Sequence, residues 1–436
     1  MLIATEDVKS TPPQLPSFTI IPESTLNHFQ ILLKVLRNEK SVNLTMVKEP
    51  KIVQKINKTI CRIEFVALSL VKYGFNVAII NIIMRLQDVK VTFLTPQSLR
   101  SWGGGERWIY TIANLLQDNN FQVTVLSLSF SPNNLYRINM EQLLENAKFK
   151  YEELPFIKSK HLPLRASKFP KQIETDVAYV IGGYYFYLKQ VTKIKIPMIY
   201  GFHDPALQEE RNYFQRKIVE NILPNFKIIH VLNRSQQKIL TDKARNVLLP
   251  NTWLYDKPPI VPKYEKFTVL FFGRHEKYKG IETLKYVMNN LPLDINLVIC
   301  GSGTMSDELR VNSPNINFLG FVPELKLEEL ISKSHAVLFP SYSEASSLVS
   351  IETLAHYTPV VYRRIDQNEM LFDKELCIGA STDAEFLQSI IKLKEIYDEN
   401  KENYITKSRG LFNSLMSKEE YLRKFIECII KPAMSY

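Results

Sequence analysis

From about residue 89 the chain settles into short apolar runs separated by amphipathic or polar stretches. "VKVTFLT" has the length and β-branched content of a strand. "GGGERWIYTIANLLQD" is a glycine turn running into a helix, and "FQVTVLSL" is the next strand. "VAYVIGG", "PMIYGFH" and "FKIIHVL" continue the series. Strands alternating with helices predict a parallel, doubly wound sheet. The segment "LPNTWLYDKPPIVPKYEK", residues 249–266, interrupts the alternation with four prolines, which is the composition of a linker between domains. The alternation then restarts with "FTVLFFG", "GIETLKYVMNNL", "INLVICG", "INFLG", "ELKLEELISKS", "AVLFP" and "PVVYRR". Two Rossmann-like domains with the carboxyl ends of both sheets facing one cleft are expected. The division is an N-terminal extension of unassigned role (1–88), a first domain (89–255), a second domain (256–416) and a C-terminal amphipathic helix (417–436).

Composition narrows the function without choosing it. A chain of 436 residues with 45% apolar and 23% charged residues buries two or three cores and resembles an ordinary soluble protein. The net charge of +10 suits an anionic ligand or a membrane surface. No dense Lys/Arg block with interleaved aromatics is present, so no nucleic-acid partner is expected. Cys61, Cys300, Cys377 and Cys428 lie far apart without a CxxC, which predicts neither a metal site nor a disulfide framework. The first residues are polar and proline-rich rather than basic and then apolar, and a cytoplasmic location follows. The most apolar run, residues 63–84, contains Glu64 and Lys72 and reads as core or interface.

The candidate chemistry lies in "PSYSEASSLVSIETLAHYTPVV", where Glu344 and Glu352 stand among small and apolar residues. Ser346 or Ser347 is placed to cap the helix that follows, with Leu348, Ile351 and Ala355 on its apolar face. Free N–H groups of Ser347, Leu348 and Val349 would form an anion site, and carboxylates at the mouth would accept sugar or ribose hydroxyls. A solvated acidic helix terminus explains the same residues more simply. "FFGRHEKYKG" adds Arg274 and Lys279 beyond a strand, a pair suited to a diphosphate, although two surface cations on a loop are the plainer alternative. "LVICGSG" supplies a further strand-end glycine turn.

In this order, GR…KG, G-S-G, "NFLGFVP" and the two-glutamate stretch, the chain resembles glycosyltransferase family 4, a retaining group with the GT-B fold. The likeness runs from about residue 89 to the end and is strongest over 267–362. It implies that Arg274 and Lys279 hold the donor diphosphate, with Gly273 and Gly301 at the strand ends, and that Glu352 holds the ribose. It also implies that Glu344 contacts the transferred sugar, that His203 of "PMIYGFHDPA" lines the sugar pocket, and that Gly103, Gly104, Gly105 and Arg107 belong to the acceptor or phosphate loop. Asp204, beside His203, would be a base only in an inverting enzyme. Where the family often has Gly-Phe-Gly, this chain has Ala345, Ser346 and Ser347, so sugar specificity does not carry over.

The expected reaction is hexose transfer, with retention, from a UDP- or GDP-sugar to a hydroxyl of a glycan, lipid-linked or small-molecule acceptor. No metal or other cofactor is expected. A sugar phosphorylase, a nucleotide-sugar epimerase and a non-catalytic nucleotide-sugar scaffold are the alternatives. The basic and aromatic stretches "RWIY", "YYFYLK" and "FQRK" raise the expectation of a peripheral contact with an anionic membrane at its inner face.

Overall fold

The computed structural model describes residues 89–435, apart from residues 102, 129–139, 155, 158–165, 168–171, 183–184, 204–220, 241–244, 366–367, 369–371 and 373–374, together with residues 2–4 and 18–20. Two compact units are present, Met1–Gln87 and Asp88–Tyr436. In the first, β1 (Leu2–Ala4) pairs antiparallel with β2 (Phe18–Ile20). The apolar run at 63–84, Asp204 and "FQRK" lie outside the described residues.

The second unit contains two parallel sheets. The first is formed by β3 (Lys90–Thr95), β4 (Gln122–Leu128), β5 (Lys150–Leu154), β8 (Val177–Ile181), β9 (Met198–Gly201), β10 (Ile228–Val231) and β11 (Asn246–Leu248). Between β5 and β8, β6 (Phe156–Ile157) and β7 (Ala166–Ser167) make a separate antiparallel ribbon. The strand order of the large sheet is β11-β10-β9-β8-β3-β4-β5. Its central strands β8, β9 and β10 are buried along their whole length, and this explains their unbroken apolar sequences. The helix Gly104–Asp118 buries Trp108, Ile109, Ile112, Ala113 and Leu116 along one stripe.

The second sheet comprises β12 (Thr268–Arg274), β13 (Asn296–Ser302), β14 (Ile316–Gly320), β15 (Ala336–Phe339), β16 (Val360–Arg363) and β17 (Ile378–Ala380), in the order β14-β13-β12-β15-β16-β17. Alternate residues feed opposite faces. Val269, Phe271, Leu297, Ile299 and Leu338 join one core, while Leu270, Phe272, Val298 and Val337 join the other. Each such buried side chain contributes about 1.5–3 kcal/mol.

The chain end differs from the single amphipathic helix expected at 417–436. A helix at Lys418–Lys424 passes through a π-helical stretch, Phe425–Ile430, into a short helix at Lys431–Met434. This segment packs on the first domain. The Trp108 Nε1–H donates to the Tyr421 hydroxyl at 3.1 Å, and the Phe425 ring lies 5.5 Å from Tyr179 and 5.8 Å from Trp108. The widened π turn buries Phe425, Ile429 and Ile430 together.

Candidate active site

In both sheets the strand order reverses beside the first strand, between β3 and β8 and between β12 and β15. Loops leaving the carboxyl ends of such neighbours diverge and open a crevice. At the second switch point β12 ends on Gly273 and Arg274 and is followed by the turn Lys277–Lys279, while β15 leads into residues 340–347 and the helix Leu348–Ala355. Topology, not nearness in sequence, therefore brings the loop of Arg274 and Lys279 beside the one that carries Glu344 into the helix of Glu352.

Backbone geometry makes this edge glycine-dependent. Gly273 and Gly301 face each other in the β12–β13 register with φ of 140° and 123°. A Cβ on Gly301 would lie 1.9 Å from the Gly273 carbonyl oxygen. Gly280, at φ 79°, sits against the Pro340 carbonyl, where a Cβ would come within 2.3 Å. Arg363 secures the same loop from below. Its Nε donates to the Pro340 carbonyl at 2.9 Å, and its guanidinium lies 3.9 Å from the Tyr342 ring centroid.

The two glutamates are buried and paired. Glu344 meets the Lys279 ammonium at 2.5 Å. Glu352 meets Arg107 at 2.6 Å, and a second arm of the same guanidinium reaches Glu324 at 2.7 Å. Arg107 belongs to the helix Gly104–Asp118, so it crosses from the first domain to the second instead of lining the glycine loop before its helix. Among the described residues Arg274 makes no ion pair. It is exposed, and its charge acts on buried Glu106. Gly103 is the N-cap of that helix, and its N–H donates to the Glu106 carboxylate at 2.9 Å. Gly104 approaches Leu348 of the other domain, while a Cβ on Gly105 would meet nothing within 4 Å.

Ser347 occupies the N-cap of the helix Leu348–Ala355 with an extended backbone, but its side chain makes no capping hydrogen bond. The expectation of a hydroxyl cap there is corrected: the first-turn N–H groups have no serine oxygen to satisfy them. Leu348 packs towards Trp253 and Val349 towards Phe339. His203 follows β9, hydrogen-bonds the Tyr179 hydroxyl through Nε2 at 2.9 Å and packs tilted against Trp108, with ring centroids 4.2 Å apart.

Charge in this seam is expensive to bury. Burial pushes the Glu352 carboxyl above its ordinary range, and Arg107 only partly opposes this. Burial works against the Arg107 cation too, but Glu352 and Glu324 more than reverse it and hold the group charged. Burial also raises Glu106 and lowers His203, whose neighbour His230 adds to the effect.

Several participants were missed from sequence. Glu106 stands three residues after Gly103, a capping spacing readable in "GGGER". Asn233, whose Nδ2 donates to the Ala345 carbonyl at 2.8 Å across the domains, is readable in "NRSQ" only as a helix cap, and Glu324 and Arg363 carry no local signal. Trp108 and Tyr187, from the aromatic stretches expected at a lipid surface, are buried at 3% and 4% exposure. Among the described residues no helix is long and apolar enough to cross a membrane.

Residues 266–395 match the family model of group 1 glycosyl transferases. The match covers β12 to β17 and every donor-side candidate. An uncharacterised glycosyltransferase of Methanocaldococcus jannaschii is 38% identical over 101 residues, spanning 21% of this chain and about a quarter (26%) of that relative. The fold is GT-B. Sucrose-phosphate synthase of Thermosynechococcus elongatus superposes with a TM-score of 0.62 at 14% identity, covering 80% of this chain and 100% of that one. HepE of Anabaena, solved with UDP and glucose, does so with a TM-score of 0.60 at 15% identity, covering 79% and 100%. TarM of S. aureus, solved with UDP and an α-GlcNAc-glycerol, gives a TM-score of 0.59 at 12% identity, covering 78% and 99%.

Proposed function

We propose that this protein is a retaining glycosyltransferase that moves a hexose from a nucleotide diphosphate sugar to an acceptor hydroxyl. The observation that carries the reading is the pairing of Lys279 with Glu344 at the switch point of the family-matched domain, with Arg274 at the end of β12 and Glu352 paired with Arg107 of the other domain. UDP is the favoured nucleotide, because HepE and TarM were solved with it.

The residues divide the work by charge. Arg274 and Lys279 meet the diphosphate, and they count most as the sugar departs and the phosphate oxygens gain charge. Glu352 accepts ribose hydroxyls and Glu344 those of the hexose, each as a buried carboxylate paired with a cation. His203, neutral beside Trp108, borders the sugar. No side chain has to act as base, since the leaving phosphate takes the acceptor proton, and the anomeric configuration is then kept. Glycan, lipid-linked and small-molecule acceptors are all compatible with this chemistry. The net charge of +10 favours an anionic membrane surface, whereas buried Trp108 and Tyr187 add nothing to it.

The test is a panel of UDP- and GDP-sugars with free nucleoside diphosphate as readout. Release that requires an acceptor and ignores inorganic phosphate supports transfer, and NMR of the first-formed product reads the anomer. Binding without release from any donor would leave a scaffold, and an inverted product would overturn retention.

A further inference from the structure

Behind His203 lies a chain of hydrogen bonds that the donor-site reading does not use. Tyr179 on β8, His203 after β9 and His230 on β10 come from adjacent strands and meet under Trp108 and Phe425. The Tyr179 hydroxyl lies 2.6 Å from His230 Nδ1 and 2.9 Å from His203 Nε2, and His230 Nε2 lies 2.7 Å from the Leu249 carbonyl. Gly201 leaves room for this arrangement, since a Cβ there would fall 2.4 Å from the Tyr179 hydroxyl.

These contacts determine every proton in the chain. A carbonyl oxygen only accepts, so His230 carries a proton on Nε2. His230 is fully buried and burial lowers it to about 4, so at neutral pH it has no second proton and Nδ1 is an acceptor. The Tyr179 hydroxyl, which burial keeps protonated, must give its only proton to that nitrogen. Towards His203 the same oxygen can then only accept, so His203 Nε2 is the donor. The groups that act on His203 are Tyr179 and His230, with the Trp108 ring tilted against it, and no carboxylate among the described residues contacts it. A neutral ring protonated on Nε2 presents a bare Nδ1.

We propose that Tyr179 and His230 are positioning residues that lock His203 in its Nε2-protonated tautomer, so that Nδ1 meets a donor-sugar hydroxyl as an acceptor only. This inference rests on the glycosyltransferase reading for its ligand, but the tautomer itself does not depend on it. The lock also makes the pocket selective in principle. A sugar hydroxyl satisfies Nδ1, whereas an analogue with only an acceptor at that position leaves two lone pairs opposed.

Selective 15N-histidine labelling with long-range proton–nitrogen spectra tests the lock, with His203→Gln used to assign the signal. The wild type at pH 7 should show protonated Nε2 and bare Nδ1 at both His203 and His230. A proton on His203 Nδ1 overturns the proposal whatever the donor. In Tyr179→Phe the His203 signal should move towards a tautomer mixture. The KM for UDP-glucose should rise about tenfold, as expected for loss of about one hydrogen bond, with kcat changed by less than about twofold. Affinity for UDP alone should stay the same. A single Nε2-protonated tautomer with wild-type KM in Tyr179→Phe also overturns it. If that variant does not fold, the wild-type spectrum decides. If no nucleotide sugar is turned over by the wild type, the functional reading fails while the spectrum still settles the relay.

Discussion

Glu352 is buried and lies 2.6 Å from Arg107, so a ribose would approach a carboxylate already held away from solvent. Glu352→Ala should therefore weaken UDP binding by about 1.5–3 kcal/mol, the range for hydrogen bonds to a charged group. Calorimetry on the folded variant checks this, and unchanged affinity would remove Glu352 from the ribose site. Arg274 and Lys279 differ in their dependence on the fold. Arg274 is exposed and makes no ion pair among the described residues, whereas Lys279 neutralises buried Glu344. Arg274→Ala and Lys279→Ala should each lower turnover by about 10²-fold or more. Only Lys279→Ala should also lower the unfolding midpoint, because it strands a buried carboxylate. Wild-type turnover in both would place the diphosphate elsewhere.

At the scale of elements, residues 340–347 have the shape they do because groups outside them hold them, among them Tyr278, Lys279, Gly280, Arg363 and Asn233. Gly280→Ala combines a left-handed φ of 79° with a clash at the Pro340 carbonyl, so the loop must move. Its kcat/KM should fall more than tenfold, with a stability loss of about 1 kcal/mol or more. A variant with wild-type kcat/KM would mean that the loop's position is immaterial. The C-terminal segment is a second such element. A chain ending at residue 416 would uncover Trp108 and Tyr179 and remove Phe425. That truncation should unfold the first domain cooperatively, and loss of its near-ultraviolet dichroism is the readout. Edge strands explain where the pattern reading was incomplete. β5, β11 and β17 went unread, and all three are sheet edges, only partly buried, with charged, polar or glycine residues among few apolar ones.

For the whole molecule, buried neutral histidines set the response to acid. Burial holds His230 and His356 at about 4 and His335 at about 3, below the value of about 6.5 in an unfolded chain. Between those limits the unfolded state binds more protons, so stability is fully present above about pH 6.5 and is lost as pH falls towards the folded values. At pH 5 each contributes a loss of about 2 kcal/mol relative to pH 7. Urea melts at the two pH values should show the fall, and His356→Gln should reduce it by one histidine's share. A midpoint independent of pH over this range would contradict the buried neutral assignment.

Periodicity and turn chemistry determined the two doubly wound sheets, the proline-rich stretch between them and the strand-end positions of the candidate residues. All of these depend on short-range regularities: apolar runs along a strand, a glycine where φ is positive, a glutamate just beyond a strand end. The family resemblance was legible over the same stretch for the same reason, since its residues lie close together between 273 and 352. Tertiary structure alone decided the pairing of Arg107 with Glu352, the bond from Asn233 to Ala345, the return of residues 418–434 to the first domain, and the proton order from Leu249 to His203. Each of these joins residues that only chain crossovers or domain contact bring together. In each the deciding quantity is burial, which turns a polar side chain from a solvated group into one that must find its partner across the fold.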